Sequence, residues 1–182
     1  MFKSSVKICQ FYAYAIVQLL IEPGQFFKEL PKKTTMKITV GFMVLSSIFY
    51  AAASLLTGAY EQPVWIMGII FFMNALGTVF ISAIIGYVTL MMLAGKKAPF
   101  PGVLSVYAFS AGITLFLSWL PFMLWFTEPW RWWLLYTGFK NSCDVTGKQA
   151  FWIICISLVI QGCLLYSAMV AFGSMGSMGS MK

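Results

Sequence analysis

Glu128 and Arg131 stand three residues apart between two apolar runs, the one opposite-charge pair in the chain placed beside a long uncharged stretch. At that spacing they share a helix face. Such a pair reads in two ways: an ion pair on the surface of a helix at the membrane interface, or a buried functional pair inside a bilayer. A second set of residues recurs every four positions: Asn74, Thr78, Ser82 and Gly86. Small and hydroxyl side chains at that interval let another helix approach closely, and Asn74 could hydrogen-bond across the contact. Gln161, alone in an apolar run, is the expected counterpart, and Ser46, Ser47 and Ser54 offer the same chemistry further upstream. The partner of this stripe is a helix of the same bundle, a second protein, or a molecule passing along it.

Much chemistry is ruled out by residue type. The chain has no histidine, which removes imidazole general bases, His-ligated haem and His-containing zinc sites. Cys9, Cys143, Cys155 and Cys163 form no CxxC pair, so packing thiols are expected. Intramembrane proteolysis needs a serine–histidine pair, paired aspartates or a metal site, and none is present. Methionines are scattered rather than ringed about a point, which suits gap filling over copper transport. No glycine-rich phosphate loop follows a strand. These absences lead to the expectation of a non-enzymatic protein with no cofactor and no metal.

The elements that position these residues are apolar. The 182 residues are 60% hydrophobic and 9% charged, against about 25% charged in soluble domains. Residues 38–60, 62–95, 98–127, 132–139 and 149–181 carry no Asp, Glu, Lys or Arg. At about 1.5 Å per residue, four of these reach across a hydrocarbon layer of about 30 Å. The expected architecture is an all-α integral membrane protein, a five-span helical bundle, with spans at 38–58, 64–94, 101–120, 122–139 and 149–172. Pro121 either kinks one long helix or marks a turn between two. Residues 1–33 form an interfacial segment ahead of the bundle at 34–172, and 173–182, three Gly-Ser-Met repeats and Lys182, read as a flexible tail.

Within that first segment, Lys3, Lys7, Gln10, Tyr14, Gln18 and Glu22 fall on one face of an amphipathic helix. The apolar run from Ile8 to Ile21 is too short to cross and should lie in the headgroup plane. Glu22-Pro23-Gly24 breaks it. Phe26 and Phe27 among lysines then suit a segment held at the interface.

The net charge of +7 does not call for nucleic acid, because the basic residues sit in short loops beside apolar spans. Lys28, Lys32, Lys33, Lys96 and Lys97 are candidate contacts to lipid headgroups. Trp130, Arg131, Trp132 and Trp133 read as an interfacial belt. With five crossings and a cytoplasmic N-terminus, ten basic residues lie inside and two, Arg131 and Lys182, outside; four crossings give nine and three. The better split favours five.

Glu22-Pro23-Gly24-Gln25-Phe26-Phe27-Lys28-Glu29-Leu30 followed by five hydrophobic segments resembles the Yip1 domain family in its bacterial form. So do Ser105-Val106-Tyr107-Ala108-Phe109-Ser110 and Trp133-Leu134-Leu135-Tyr136-Thr137-Gly138-Phe139-Lys140, followed by Val145-Thr146-Gly147-Lys148-Gln149-Ala150. The resemblance covers about residues 20–172. The Asp-Leu-Tyr-Gly-Pro element of eukaryotic members is absent, so their Rab GTPase binding does not carry over. The resemblance implies five helical spans, a cytoplasmic N-terminus, hence a bacterial inner membrane, and no enzyme activity. The function expected is a membrane scaffold or accessory subunit, binding membrane lipids and other membrane protein subunits or itself. The alternatives are a small transporter or channel component for a neutral or lipidic substrate, and a curvature or trafficking factor.

Overall fold

The structure is a computed structural model that describes residues 2–58, 60–95 and 98–179, without the side chains of 2–9, 31–33, 121, 168 and 170–179. Lys96 and Lys97 lie outside the described residues, as do the side chains of Lys32 and Lys33. Among the described residues the secondary structure is helical: α1 (Phe2–Ile21), α2 (Pro23–Lys33), α3 (Met36–Leu55), α4 (Val64–Ala94), α5 (Phe100–Leu115), a 3-10 turn at Pro121–Met123, α6 (Leu124–Ser142) and α7 (Gly147–Gly179).

Helix boundaries follow local chemistry. Pro23 opens α2, where a missing amide costs nothing. Gly95 ends α4 at φ +59°, a left-handed conformation that favours glycine. Thr146 and Gln149 form a capping box at the start of α7. The Thr146 amide donates to Gln149 Oε1 at 3.1 Å, and the Gln149 amide donates to Thr146 Oγ1 at 3.4 Å. Helix α7 then continues through Gly179, across repeats whose composition suggests a flexible tail.

Among the described residues three helices are long and apolar enough to cross a membrane: Met36–Leu55, Val64–Ala94 and the Gly147–Ser167 part of α7. The chain is an integral membrane protein. The expected spans at 101–120 and 122–139 take a different form. Helix α5 stops at Leu115 after 16 residues, about 24 Å at 1.5 Å per residue. Residues 116–120 make a turn, so Pro121 begins a new element rather than kinking one long helix. Ser118 Oγ donates to the Thr114 carbonyl at 2.7 Å and Trp119 Nε1 to the Phe116 carbonyl at 3.1 Å, satisfying acceptors at the α5 terminus. Helix α6 carries Glu128, Pro129, Arg131 and Lys140 within 19 residues.

Helix α5 is the centre of the bundle. Every residue from Val103 to Thr114 is buried, so it has protein on all sides. Phe109 joins four elements: its ring stacks on Phe42 of α3 at 4.7 Å and meets Phe26 of α2 at 5.2 Å and Phe11 of α1 at 6.3 Å. Each such pair adds about 0.5–1.5 kcal/mol beyond its burial. Thr39 of α3 and Ser105 of α5 share a buried hydrogen bond of 2.8 Å.

The N-terminal elements pack on protein more than their sequence suggests. Ala15 and Leu19 of α1 are buried, and Tyr12 donates to the Ile38 carbonyl at 3.1 Å. The Gln18 amide oxygen, expected on an outward polar stripe, is buried without a partner. Val17, Leu20 and Ile21 are exposed, leaving a second apolar face. The segment expected at the interface as an aromatic anchor is instead helix α2, with Phe26, Phe27 and Leu30 buried. Ser142 Oγ, at the end of α6, donates to the Phe27 carbonyl at 3.0 Å.

Candidate functional site

The four-residue stripe on α4 divides. Steps of four residues advance about 400° at 3.6 residues per turn, so three steps drift about 120° around the helix. Ser82 and Gly86 face inward and are buried, while Asn74 and Thr78 are exposed. A Cβ at Gly86 would meet the Tyr107 ring and hydroxyl, so this glycine is spent on a contact with α5. Ser82 is 1% exposed, and among the described residues its hydroxyl has no partner. Thr78 Oγ1 donates to Asn74 Oδ1 at 3.5 Å.

Helices α4 and α7 run antiparallel. Ser157 Oγ donates to Thr89 Oγ1 at 3.5 Å, while Thr78, Ile81 and Ser82 face Gln161, Leu164 and Leu165 across a groove. That groove has a cavity volume of about 320 Å³ and mostly apolar walls. Gln161 therefore lies opposite Thr78 and Ser82, where the sequence reading expected a hydrogen-bonding counterpart, though it makes no direct bond to Ser82.

Beside this groove is a polar cleft of about 150 Å³, walled by Tyr50, Asn74, Thr78, Ser118, Glu128 and Arg131 together with apolar neighbours. Glu128 and Arg131 also border a smaller pocket of about 30 Å³ shared with Tyr107, Ser157 and Gln161. Thr78 lines both the polar cleft and the apolar groove, and Gln161 lines both the smaller pocket and the groove. The cleft and the smaller pocket border the ion pair, and the groove shares one wall residue with each of them.

The ion pair is loose. Arg131 Nη1 lies 3.8 Å from Glu128 Oε1, with the Arg131 side chain 17% exposed and that of Glu128 45% exposed. A guanidinium carries five N–H donors, and among the described residues Arg131 makes no protein hydrogen bond. Pro129 between them removes the amide that would serve the Trp125 carbonyl, which loosens α6 at this point.

Asn74 and Thr78, which wall the cleft, sit 10 and 14 residues from the start of α4, about 15–21 Å along it at 1.5 Å per residue, and Tyr50 walls it from the last turns of α3. Of the residues expected to form an interfacial belt, Trp130, Trp132 and Trp133 are exposed on α6, with Trp130 and Trp133 in ring contact at 5.2 Å. Arg131 turns the other way, into the cleft. Lys28 is exposed on α2.

The sequence reading missed Tyr50, Tyr107, Ser118 and Ser157 as neighbours of the pair. Ser157 had a signal: it precedes Gln161 by four residues and shares its helix face. The others are brought in by helix packing alone.

Outside the bundle, Cys143 follows α6 and its thiol pKa is pushed up to about 11, first by burial and then by the negative charge of Asp144. Neither a curated protein nor a solved structure matches the chain. The Yip1 domain pattern matches residues 17–169, from the middle of α1 into α7. With most of its length inside that match, the chain belongs to the Yip1 domain family.

Proposed function

We propose that the chain is a non-enzymatic membrane protein that holds a membrane lipid within its helical bundle, a reading nearest to the sequence alternative of a small transporter or channel component for a neutral or lipidic substrate. One observation carries this: a cleft containing an under-bonded ion pair lies next to an apolar groove, with Thr78 in the wall of both. A charged chamber beside an apolar slot has the form of a site for an amphiphile. Charge within a membrane bundle is costly and marks function by default.

The remaining assignments accompany this proposal. Five helices enter the membrane, the N-terminus lies in the cytoplasm, and the membrane is a bacterial inner membrane. The ten-to-two distribution of basic residues supports that orientation. Lysines on the cytoplasmic rim, Lys28, Lys32, Lys33, Lys96 and Lys97, meet anionic headgroups. The scaffold reading draws on the α4 stripe, of which Ser82 and Gly86 are buried within the protomer, so lipid binding takes precedence over it.

Native mass spectrometry after gentle detergent extraction tests the reading. A stoichiometric lipid on the protein is expected. A stoichiometric foreign subunit with no retained lipid would overturn it in favour of a scaffold.

A further inference from the structure

We infer that the bound lipid is a zwitterionic glycerophospholipid whose headgroup ends in a primary ammonium: the phosphate sits on Arg131, the ammonium on Glu128, and an acyl chain in the α4–α7 groove. This rests on the lipid-binding reading above and names the ligand class for the same site.

Four features of the cleft select that chemistry. The first is charge. Glu128 and Arg131 present one negative and one positive group to the same cavity, so the complementary ligand carries one of each. The second is the separation of 3.8 Å, longer than a hydrogen bond between charged groups, which is about 2.7–2.9 Å. Neither group is saturated by the other. The guanidinium has donors in the fork geometry that suits a phosphate, and the carboxylate has acceptor sites for an N–H donor.

The third feature is exposure. The Glu128 side chain is 45% exposed, so its carboxylate is open to a second cationic donor beside Arg131, and an under-satisfied anion within a membrane bundle is disfavoured. An anionic headgroup would satisfy Arg131 but add a like charge beside that carboxylate. A quaternary ammonium would balance the charge yet offers no N–H to it. The primary ammonium satisfies both requirements. The fourth is adjacency: Thr78 borders both the cleft and the groove, so a head at Arg131 has the apolar walls of Ile81 and Leu165 next to it for its tail.

The test uses the full-length protein in detergent, washed free of co-purified lipid. It is then titrated with phosphatidylethanolamine, phosphatidylcholine or phosphatidylglycerol, and bound lipid is read by native mass spectrometry. The expected ranking places phosphatidylethanolamine about tenfold ahead of the other two, the effect of one additional charge-assisted hydrogen bond. In Glu128→Gln the gap between ethanolamine and choline headgroups should close while binding persists. In Arg131→Gln all three should weaken together.

Phosphatidylglycerol binding as well as or better than phosphatidylethanolamine would overturn the headgroup assignment and leave lipid binding standing. No adduct with any of the three would overturn lipid binding itself. The wild-type ranking decides between these outcomes however the two variants fold.

Discussion

Replacing Gly86 with alanine should destabilise the protein, whereas the same change at Gly77 on the same helix should not. A Cβ at Gly86 would stand 2.5 Å from Tyr107 Cε2 and 2.6 Å from Cζ, with the hydroxyl closer still. Carbon atoms in good contact lie about 3.5–4.0 Å apart, so the ring must retreat by about 1 Å. Tyr107 is 2% exposed and its ring is in contact with that of Phe139 at 5.8 Å, which leaves it little space to yield. Overpacking of this kind costs about 1–3 kcal/mol. For a chain of this size each kcal/mol lowers Tm by about 2–4 °C, so Gly86→Ala should lose about 2–12 °C. Gly77 has no heavy atom within 4 Å of the added Cβ. There alanine improves helix propensity by about 0.5–1 kcal/mol, and Tm should hold or rise. The assay is thermal unfolding of both variants in one detergent. Equal Tm values for the two would refute the claim that Gly86 is held by close packing against α5.

Three further outcomes are expected. Phe109→Ala removes a fully buried ring joining α1, α2, α3 and α5 and should cost about 3–5 kcal/mol, read as loss of folded protein on heating in detergent. Thr146→Ala breaks the capping box at α7 and should cost about 0.5–2 kcal/mol, with faster amide hydrogen exchange confined to the residues after Gly147. In a variant retaining only Cys143, the raised thiol pKa means a smaller thiolate fraction at any lower pH, so maleimide labelling should keep accelerating to about pH 11 rather than levelling near the ordinary thiol range of about 8.5.

The sequence was most legible where one physical cause dominated. The span expected at 64–94 matches α4 residue for residue because an uncharged run bounded by Pro63 and Gly95 leaves no other reading. The end of α5 was harder to place, since Phe116–Leu120 is as apolar as the helix before it. It leaves the helix through hydrogen bonds from Ser118 and Trp119 to local carbonyls. Phe26 and Phe27 read as lipid anchors because an aromatic pair beside lysines has the same pattern whether it meets acyl chains or another helix. The pairing of Glu128 and Arg131 followed from spacing. Their inward placement did not, because it depends on α5 ending early enough for α6 to turn back against α5 and α7. The α4 stripe failed as a single face through the rotation that accumulates at four-residue steps.

The hydrogen bond from Ser142 to the Phe27 carbonyl joins residues 115 positions apart, and this sets an order of events during synthesis. Helix α2 leaves the ribosome early, yet the end of α6, which covers it, emerges last but one. At about 5–20 residues per second of translation, that interval is about 6–23 s. Over this time Phe26, Phe27 and Leu30 face something other than their final neighbours. A nascent chain halted before Leu124 would retain α1 and α2 without their closing helix, and the bundle would be completed from the C-terminal side.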